Sequence, residues 1–179
     1  MVWEKKTWFV GLKKTNNLKS EPESAGLLEL DELYWFIGKK PRTETRENTY
    51  IMTMVSREPR QIVGWEVALD KTAVTIQRMV DRAPEAALYC TDGYVGYLDV
   101  VYPGRHIRNL RDKSNTFTVE GVNADLRHYI PGLARRRRCF YRKLETLIAV
   151  MTLFVHAYNN FGIAKRLHRK THCILLDFL

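Results

Sequence analysis

A dense run of large apolar and aromatic residues lies between Gly26 and Gly38. Its odd-numbered and even-numbered positions are both apolar except at three acidic residues, Glu29, Asp31 and Glu32. Successive side chains of a strand point to opposite faces, so a strand that is apolar on both faces belongs in a sheet that is covered on both sides. The pattern therefore predicts a central strand over 27–38.

The hydrophobic pattern predicts further strands and helices along the rest of the chain. Strands are predicted over 50–55, 61–69, 86–90 and 105–110, and helices from 70 or 72 to about 81, from 114 or 115 to about 129, and over about 140–158, with a short helix or turn over 94–102. Three strands, a helix, two further strands and late helices in this order indicate one α/β domain with a mixed five-stranded sheet flanked by helices.

The segments outside this pattern are polar. Residues 1–25 show no sustained period and are predicted to be a leader or linker, and residues 161–179 a basic tail, which leaves the folded domain at 26–160.

The longest apolar stretch, 147–158, is shorter than the ~20 residues that a membrane-spanning helix needs, so no membrane partner is expected. Three widely spaced cysteines favour neither a disulfide framework nor a zinc site, which fits a cytoplasmic protein.

The chain is basic, and its excess charge lies in the C-terminal part. The 29 Lys and Arg residues exceed the 20 Asp and Glu residues, which gives a formal charge of +9. Residues 1–100 contain 14 basic and 15 acidic side chains, whereas residues 101–179 contain 15 and 5. The composition therefore predicts that the C-terminal part binds an acidic partner.

Three acidic residues fall at unusual places in the predicted elements. Asp31 lies in the middle of the central strand, Asp92 at the carboxyl end of the strand over 86–90, and Glu120 in a later helix. A carboxylate removed from water costs on the order of several kcal/mol unless it pairs with a cation or binds a metal ion. Each residue also has a structural explanation: an arginine partner for Asp31, an Asp-Gly turn for Asp92, and the helix dipole for Glu120.

Together these segments resemble the catalytic part of insertion-sequence-one type DDE transposases, whose fold is ribonuclease-H-like. The resemblance covers about residues 26–166 and rests on LELDELYWFIGKK at 28–40, YCTDGY at 89–94 and VEGVNADLR at 119–127, followed by a basic stretch, a long helix and Tyr158-Asn159. The chain departs from the family pattern directly after Glu120, where Gly121-Val122 stands in place of a more basic segment that contains His.

The resemblance implies a catalytic triad of Asp31, Asp92 and Glu120 that also holds two Mg²⁺ ions, with Mn²⁺ as a substitute. Asp31 would bridge both ions, while Asp92 and Glu120 would each complete one site; water attacks in strand cleavage and a DNA 3′-hydroxyl attacks in strand transfer. Carboxylates suit this role because Mg²⁺ prefers hard oxygen ligands. Glu32 ranks below Asp31 as a ligand because it points to the opposite face of the strand, and Asp99 is the main competitor for the third position.

Basic and polar residues around this triad are candidate DNA contacts, because clusters of Lys and Arg supply most of the non-specific affinity for phosphate. The candidates are Lys39, Lys40, Asn123, Arg127, Arg135, Arg136, Arg137, Arg138, Arg142 and Lys143. A solvated basic loop or helix face explains the same residues without DNA, and Asn123 with Arg127 could instead orient Glu120.

The expected function is cleavage and strand transfer of double-stranded DNA at element ends and targets. The same fold suits a hydrolytic nuclease or resolvase, which cuts without joining. A third alternative is a catalytically incomplete DNA-binding fragment or regulator of transposition, because residues 1–25 contain no Cys or His for the family's zinc-binding recognition region. A separate N-terminal recognition chain or a fusion would then be needed. The resemblance further implies a homo-oligomer associated with the nucleoid.

Overall fold

The computed structural model describes residues 25–37, 48–109, 115–134 and 141–161. Within these ranges the chain forms five strands and three α-helices, together with 3₁₀ turns at Val95–Asp99 and Pro131–Leu133. In chain order they are β1 (Ala25–Trp35), β2 (Thr49–Ser56), β3 (Gln61–Ala68), α1 (Ala73–Arg82), β4 (Ala86–Thr91), β5 (Arg105–Arg108), α2 (Phe117–Tyr129) and α3 (Leu144–Asn160).

The five strands form one mixed sheet in the order β3-β2-β1-β4-β5, so β1 is the central strand. Strands β1, β2 and β3 pair antiparallel, and a four-residue turn joins β2 to β3. Strand β4 runs parallel to both β1 and β5, and α1 supplies the crossover that a parallel connection requires. The predicted α/β class, the central position of the first strand and the mixed five-stranded sheet are confirmed.

Helices cover both faces of the sheet because β1 is apolar on both. Leu33 and Trp35, at odd-numbered positions, pack into a core with residues of α2 and α3. Leu28 and Leu30, at even-numbered positions, pack into a second core with residues of α1. The alternation of side chains along β1 therefore assigns Asp31 to the α2 side of the sheet and Glu32 to the α1 side.

Side-chain hydrogen bonds define the start of α1 and attach the end of α3 to the sheet. Thr72 is the N-cap of α1, and its hydroxyl accepts a bond from the Thr75 amide (3.4 Å). At the other end of the fold, the Asn159 side chain accepts from the Ile62 amide (3.0 Å) and donates to the Ile62 carbonyl (2.9 Å). Because β3 is an edge strand, this pair of bonds attaches the last turn of α3 to otherwise unpaired backbone.

Several predicted boundaries were wrong by a few residues. Strand β1 ends at Trp35 rather than at residue 38, because Trp35 pairs with Thr49, where β2 begins. Helix α3 begins at Leu144 rather than near residue 140. The structure describes no part of 1–24 or 162–179, so nearly all of the predicted leader and of the predicted tail lies outside the described residues, and Ala25 belongs to β1. No helix in the described ranges is long and apolar enough to cross a membrane.

Candidate metal centre

The pairing of β1 with β4 explains why Asp31 and Asp92 meet. The two strands are parallel, and their register pairs Leu28 with Tyr89 and Glu29 with Cys90. Asp31 and Asp92 each lie two residues beyond that last pair, so the same register brings them side by side. Strand β4 ends at Thr91, which leaves Asp92 at the carboxyl end of a parallel strand, where open α/β sheets commonly present ligand-binding groups.

Three carboxylates form a cluster at this position. Asp31, Glu32 and Asp92 each offer one oxygen, and these oxygens all lie within 4.8 Å of one another. Among the described residues, this is the group of His, Cys, Asp or Glu side chains with a spacing that could hold a metal ion. Glu32 joins it although it starts from the opposite face of β1. On its other edge β1 still pairs with β2, but β4 has already ended, so the edge of β1 that faces Asp92 is open and side chains of opposite parity can converge there.

The Asp31 carboxylate is held on both oxygens. Its Oδ1 accepts a bond from the Glu32 amide (2.9 Å), and its Oδ2 accepts one from the side-chain amide of Asn123 on α2 (2.8 Å). Burial raises the pKa of Asp31, and the negative charges of Asp92 and Glu120 raise it further against the two hydrogen bonds. Glu120 is therefore close enough for its charge to act on Asp31, although it lies outside the 4.8 Å cluster.

The pKa of Glu32 is raised to about 7 by burial and by the negative charge of Asp92, against a partial offset from Lys71. Its Oε1 is buried without a hydrogen-bond partner in the part of the chain that the structure describes. A buried carboxylate oxygen without a donor, beside two more carboxylates, matches what a hard divalent cation would satisfy. The residues present therefore fit a hard divalent cation.

Asp92 is held by its own turn, and the same turn positions a lysine. The Asp92 Oδ1 accepts a bond from the Tyr94 amide (2.9 Å), as is usual when Asp begins a turn. The Tyr94 hydroxyl donates to the Lys71 carbonyl (3.0 Å), and the Lys71 ammonium lies 3.7 Å from the centre of the Tyr94 ring. Lys71 is thus fixed between an aromatic face and the carboxylates, a role that nothing in its sequence context indicated.

Glu120 and Asn123 are three residues apart and lie on one face of α2. Asn123 is buried, and both ends of its amide are bonded, since it donates to Asp31 and accepts from the Thr53 hydroxyl (3.0 Å). Thr53 is the residue of β2 that pairs with Asp31. The structure therefore places Asn123, a candidate DNA contact, against the carboxylate of Asp31. Arg127, one turn later, is partly buried and interacts within the chain.

The other candidate DNA contacts are divided between described and undescribed segments. Arg142 and Lys143 are exposed directly before α3. Lys39, Lys40 and Arg135 to Arg138 lie outside the described residues. Asp99, the competing third ligand, is exposed at the end of a 3₁₀ turn and is not part of the carboxylate cluster.

Comparison with known proteins identified no family. A scan against protein-family models gave no match, and a search of curated proteins gave none. The described residues form an α/β protein in which acidic side chains from β1 and the end of β4 converge beside α2, the helix that contains Glu120.

Proposed function

We propose that this chain is a ribonuclease-H-like DDE transposase of the insertion-sequence-one type, which cuts double-stranded DNA at element ends and joins it to a target. The observation that carries the proposal is the convergence of Asp31 and Asp92, with the Glu120 charge acting on Asp31. These acids come from three elements far apart in sequence. The sheet order and strand directions are compatible with the fold that the resemblance implies.

Asp31, Asp92 and Glu120 would hold the divalent ions, and Glu32 lies within reach of the same site. Two such ions, when bound, stabilise the attacking and leaving oxygens of a phosphodiester. The chain's own contribution is to hold the carboxylates still before the ions and DNA arrive. Asn123 and the Glu32 amide hold Asp31, and the Tyr94 amide holds Asp92.

DNA binding is proposed for the basic C-terminal half, where Arg142 and Lys143 are exposed. Phosphate contacts from such residues would be insensitive to base sequence. Recognition of the element ends is therefore assigned to a partner chain or fused domain, and pairing of two ends to a homo-oligomer. A nucleoid-associated location in the cytoplasm follows from the same proposal.

The test is metal-dependent cleavage of a labelled duplex by the full chain and by Asp92→Asn. We expect cleavage with Mg²⁺ or Mn²⁺ by the wild type and a loss of at least about 100-fold in Asp92→Asn, because one ligand of the site is neutralised. Asp99→Asn, the same change at an exposed aspartate seven residues later, should leave cleavage unchanged. Retained cleavage in Asp92→Asn would contradict the proposal.

A further inference from the structure

Glu29 is a buried acid whose two carboxylate oxygens have different partners. It lies on β1, two residues before Asp31, and is fully buried. Its Oε2 accepts bonds from the backbone amides of Thr118 (2.7 Å) and Val119 (2.9 Å), in the first turn of α2. Its Oε1 accepts a bond from Arg57 Nε (2.7 Å). The carboxylate thus joins the central strand, the β2–β3 turn and the start of α2.

Glu29 supplies the cap that α2 does not provide for itself. The N-cap residue of this helix, Thr116, makes no side-chain capping bond. The first amides of a helix have no partner within the helix and carry partial positive charge, so a buried carboxylate there satisfies two donors and interacts well with the helix dipole. The start of α2 is therefore determined by a residue that is about 90 positions earlier in the chain.

Two arginines of the β2–β3 turn also contact α2. The Arg57 guanidinium lies 4.8 Å from the centre of the Phe117 ring, at the first residue of α2. Arg60, from the same turn, donates to Asp125 (3.3 Å) further along α2. A Cβ at Gly121 would lie 2.7 Å from the end of the flexible Arg60 side chain, which would have to shift.

Hydrogen bonds from β1 reach α2 on both sides of Glu120 in the sequence. Glu29 bonds the amides at 118 and 119, and Asp31 bonds the side chain of Asn123. Glu120 lies between these points, in the same turn of α2. We infer that Glu29 is a positioning residue, which fixes the first turn of α2 so that the Glu120 carboxylate faces Asp31 and Asp92. The inference rests on the proposed function, because it gives Glu120 a role in holding the divalent ion.

The test is Mn²⁺ binding by the full chain, measured through the electron paramagnetic resonance signal of the free ion. Glu29→Met removes the acceptor and keeps the side chain unbranched, and it should weaken Mn²⁺ affinity by about tenfold or more, since displaced ligands lose affinity steeply. Glu29→Gln retains one oxygen that can accept both amides and loses only the bond from Arg57, so its affinity should stay within about threefold of the wild type. Glu145→Gln, at an exposed glutamate in the first turn of α3, is the matched control and should change nothing.

Wild-type affinity in a folded Glu29→Met protein would overturn the inference. If Glu29→Met does not fold, Glu29→Gln decides through hydrogen exchange of the Thr118 and Val119 amides. Protection of these amides and Mn²⁺ affinity should be kept together or lost together, and a change in one without the other overturns the inference. A wild-type chain that binds Mn²⁺ and joins no DNA would contradict the proposed function while leaving the role of Glu29 measurable.

Discussion

Asn123 donates a hydrogen bond of 2.8 Å to Oδ2 of Asp31, across 92 positions of sequence. This bond connects α2 to the central strand at the carboxylate on which the candidate site depends. Asn123 is buried and also accepts from Thr53, so its orientation is determined from two directions. The position of the Asp31 carboxylate therefore depends on the packing of α2 against β1.

Asn123→Ala should therefore reduce metal-dependent DNA cleavage without weakening DNA binding. Asp31 would lose a donor to one oxygen, which frees the carboxylate to move and raises its pKa further. We expect turnover at saturating DNA to fall by about 10- to 100-fold, as small misplacements of a reactive group often cause. Asn160→Ala, whose amide bonds only to His156 among the described residues, is the control. A fall in DNA affinity with normal turnover would instead identify Asn123 as a DNA contact.

Glu32→Gln should make the metal-free protein more stable at neutral and alkaline pH. The folded-state pKa of Glu32 is about 7, against an ordinary value of 4.5. Between these pH values the unfolded chain has released the proton and the folded chain keeps it, so the free energy of unfolding falls as pH rises through that window. Glu32→Gln removes this fall and should be more stable than the wild type at pH 8 by on the order of 1–2 kcal/mol.

Urea unfolding of both proteins without metal, from pH 4.5 to 8, measures this difference. Glu85→Gln, at an exposed glutamate, should keep the wild-type profile. Superimposable profiles for the wild type and Glu32→Gln would show that Glu32 titrates normally.

Asn159→Ala should destabilise the fold more than the same change at the next residue. Asn159 bonds both backbone groups of Ile62 on the edge strand β3, and its removal leaves those groups without a partner from α3. The expected loss is about 1–3 kcal/mol of unfolding free energy. Asn160→Ala should cost less than about 0.5 kcal/mol, because its bonds are local and exposed. Equal losses from the two variants, in chemical denaturation, would rule out the edge attachment.

Replacing both Arg142 and Lys143 by Ala should weaken DNA binding equally for all sequences. Both are exposed before α3 and are proposed to contact phosphate. Loss of two phosphate contacts should lower the slope of log affinity against log salt by about 2. Arg78→Ala/Arg82→Ala removes the same charge from α1, where both residues pair with Glu66, and should leave the slope unchanged. An unchanged slope in the first variant would place the DNA elsewhere on the chain.

The hydrophobic pattern predicted the fold well because β1 is apolar on both faces and because the helices follow a clear period. Element ends were less predictable, since they depend on distant partners. Helix α2 begins where Glu29 caps it, and no local residue around 114–116 carries that signal. The acid at Glu29 was visible on the same face as Asp31, but its partners on α2 and in the β2–β3 turn were not.

The candidate site was predictable only in part for the same reason. The apolar setting of Asp31 and the strand-end position of Asp92 identified both acids, and their proximity then follows from the β1–β4 register. Strand parity did not predict that Glu32 lies in the carboxylate cluster, because that argument assumes a strand on each side of β1, whereas β4 ends at Thr91. Lys71 reaches the cluster through its contact with Tyr94, which depends on tertiary structure alone.

We propose that this chain joins DNA at the carboxylate cluster of Asp31, Glu32 and Asp92. Strand transfer by the purified chain tests this with a labelled duplex that ends in the element's terminal repeat, in Mg²⁺ or Mn²⁺. We expect joined products from the wild type and from Asp99→Asn, and none from Asp92→Asn. Cut ends that are never joined would identify a hydrolytic nuclease. Binding of DNA without cutting or joining, equal in the wild type and Asp92→Asn, would contradict the claim.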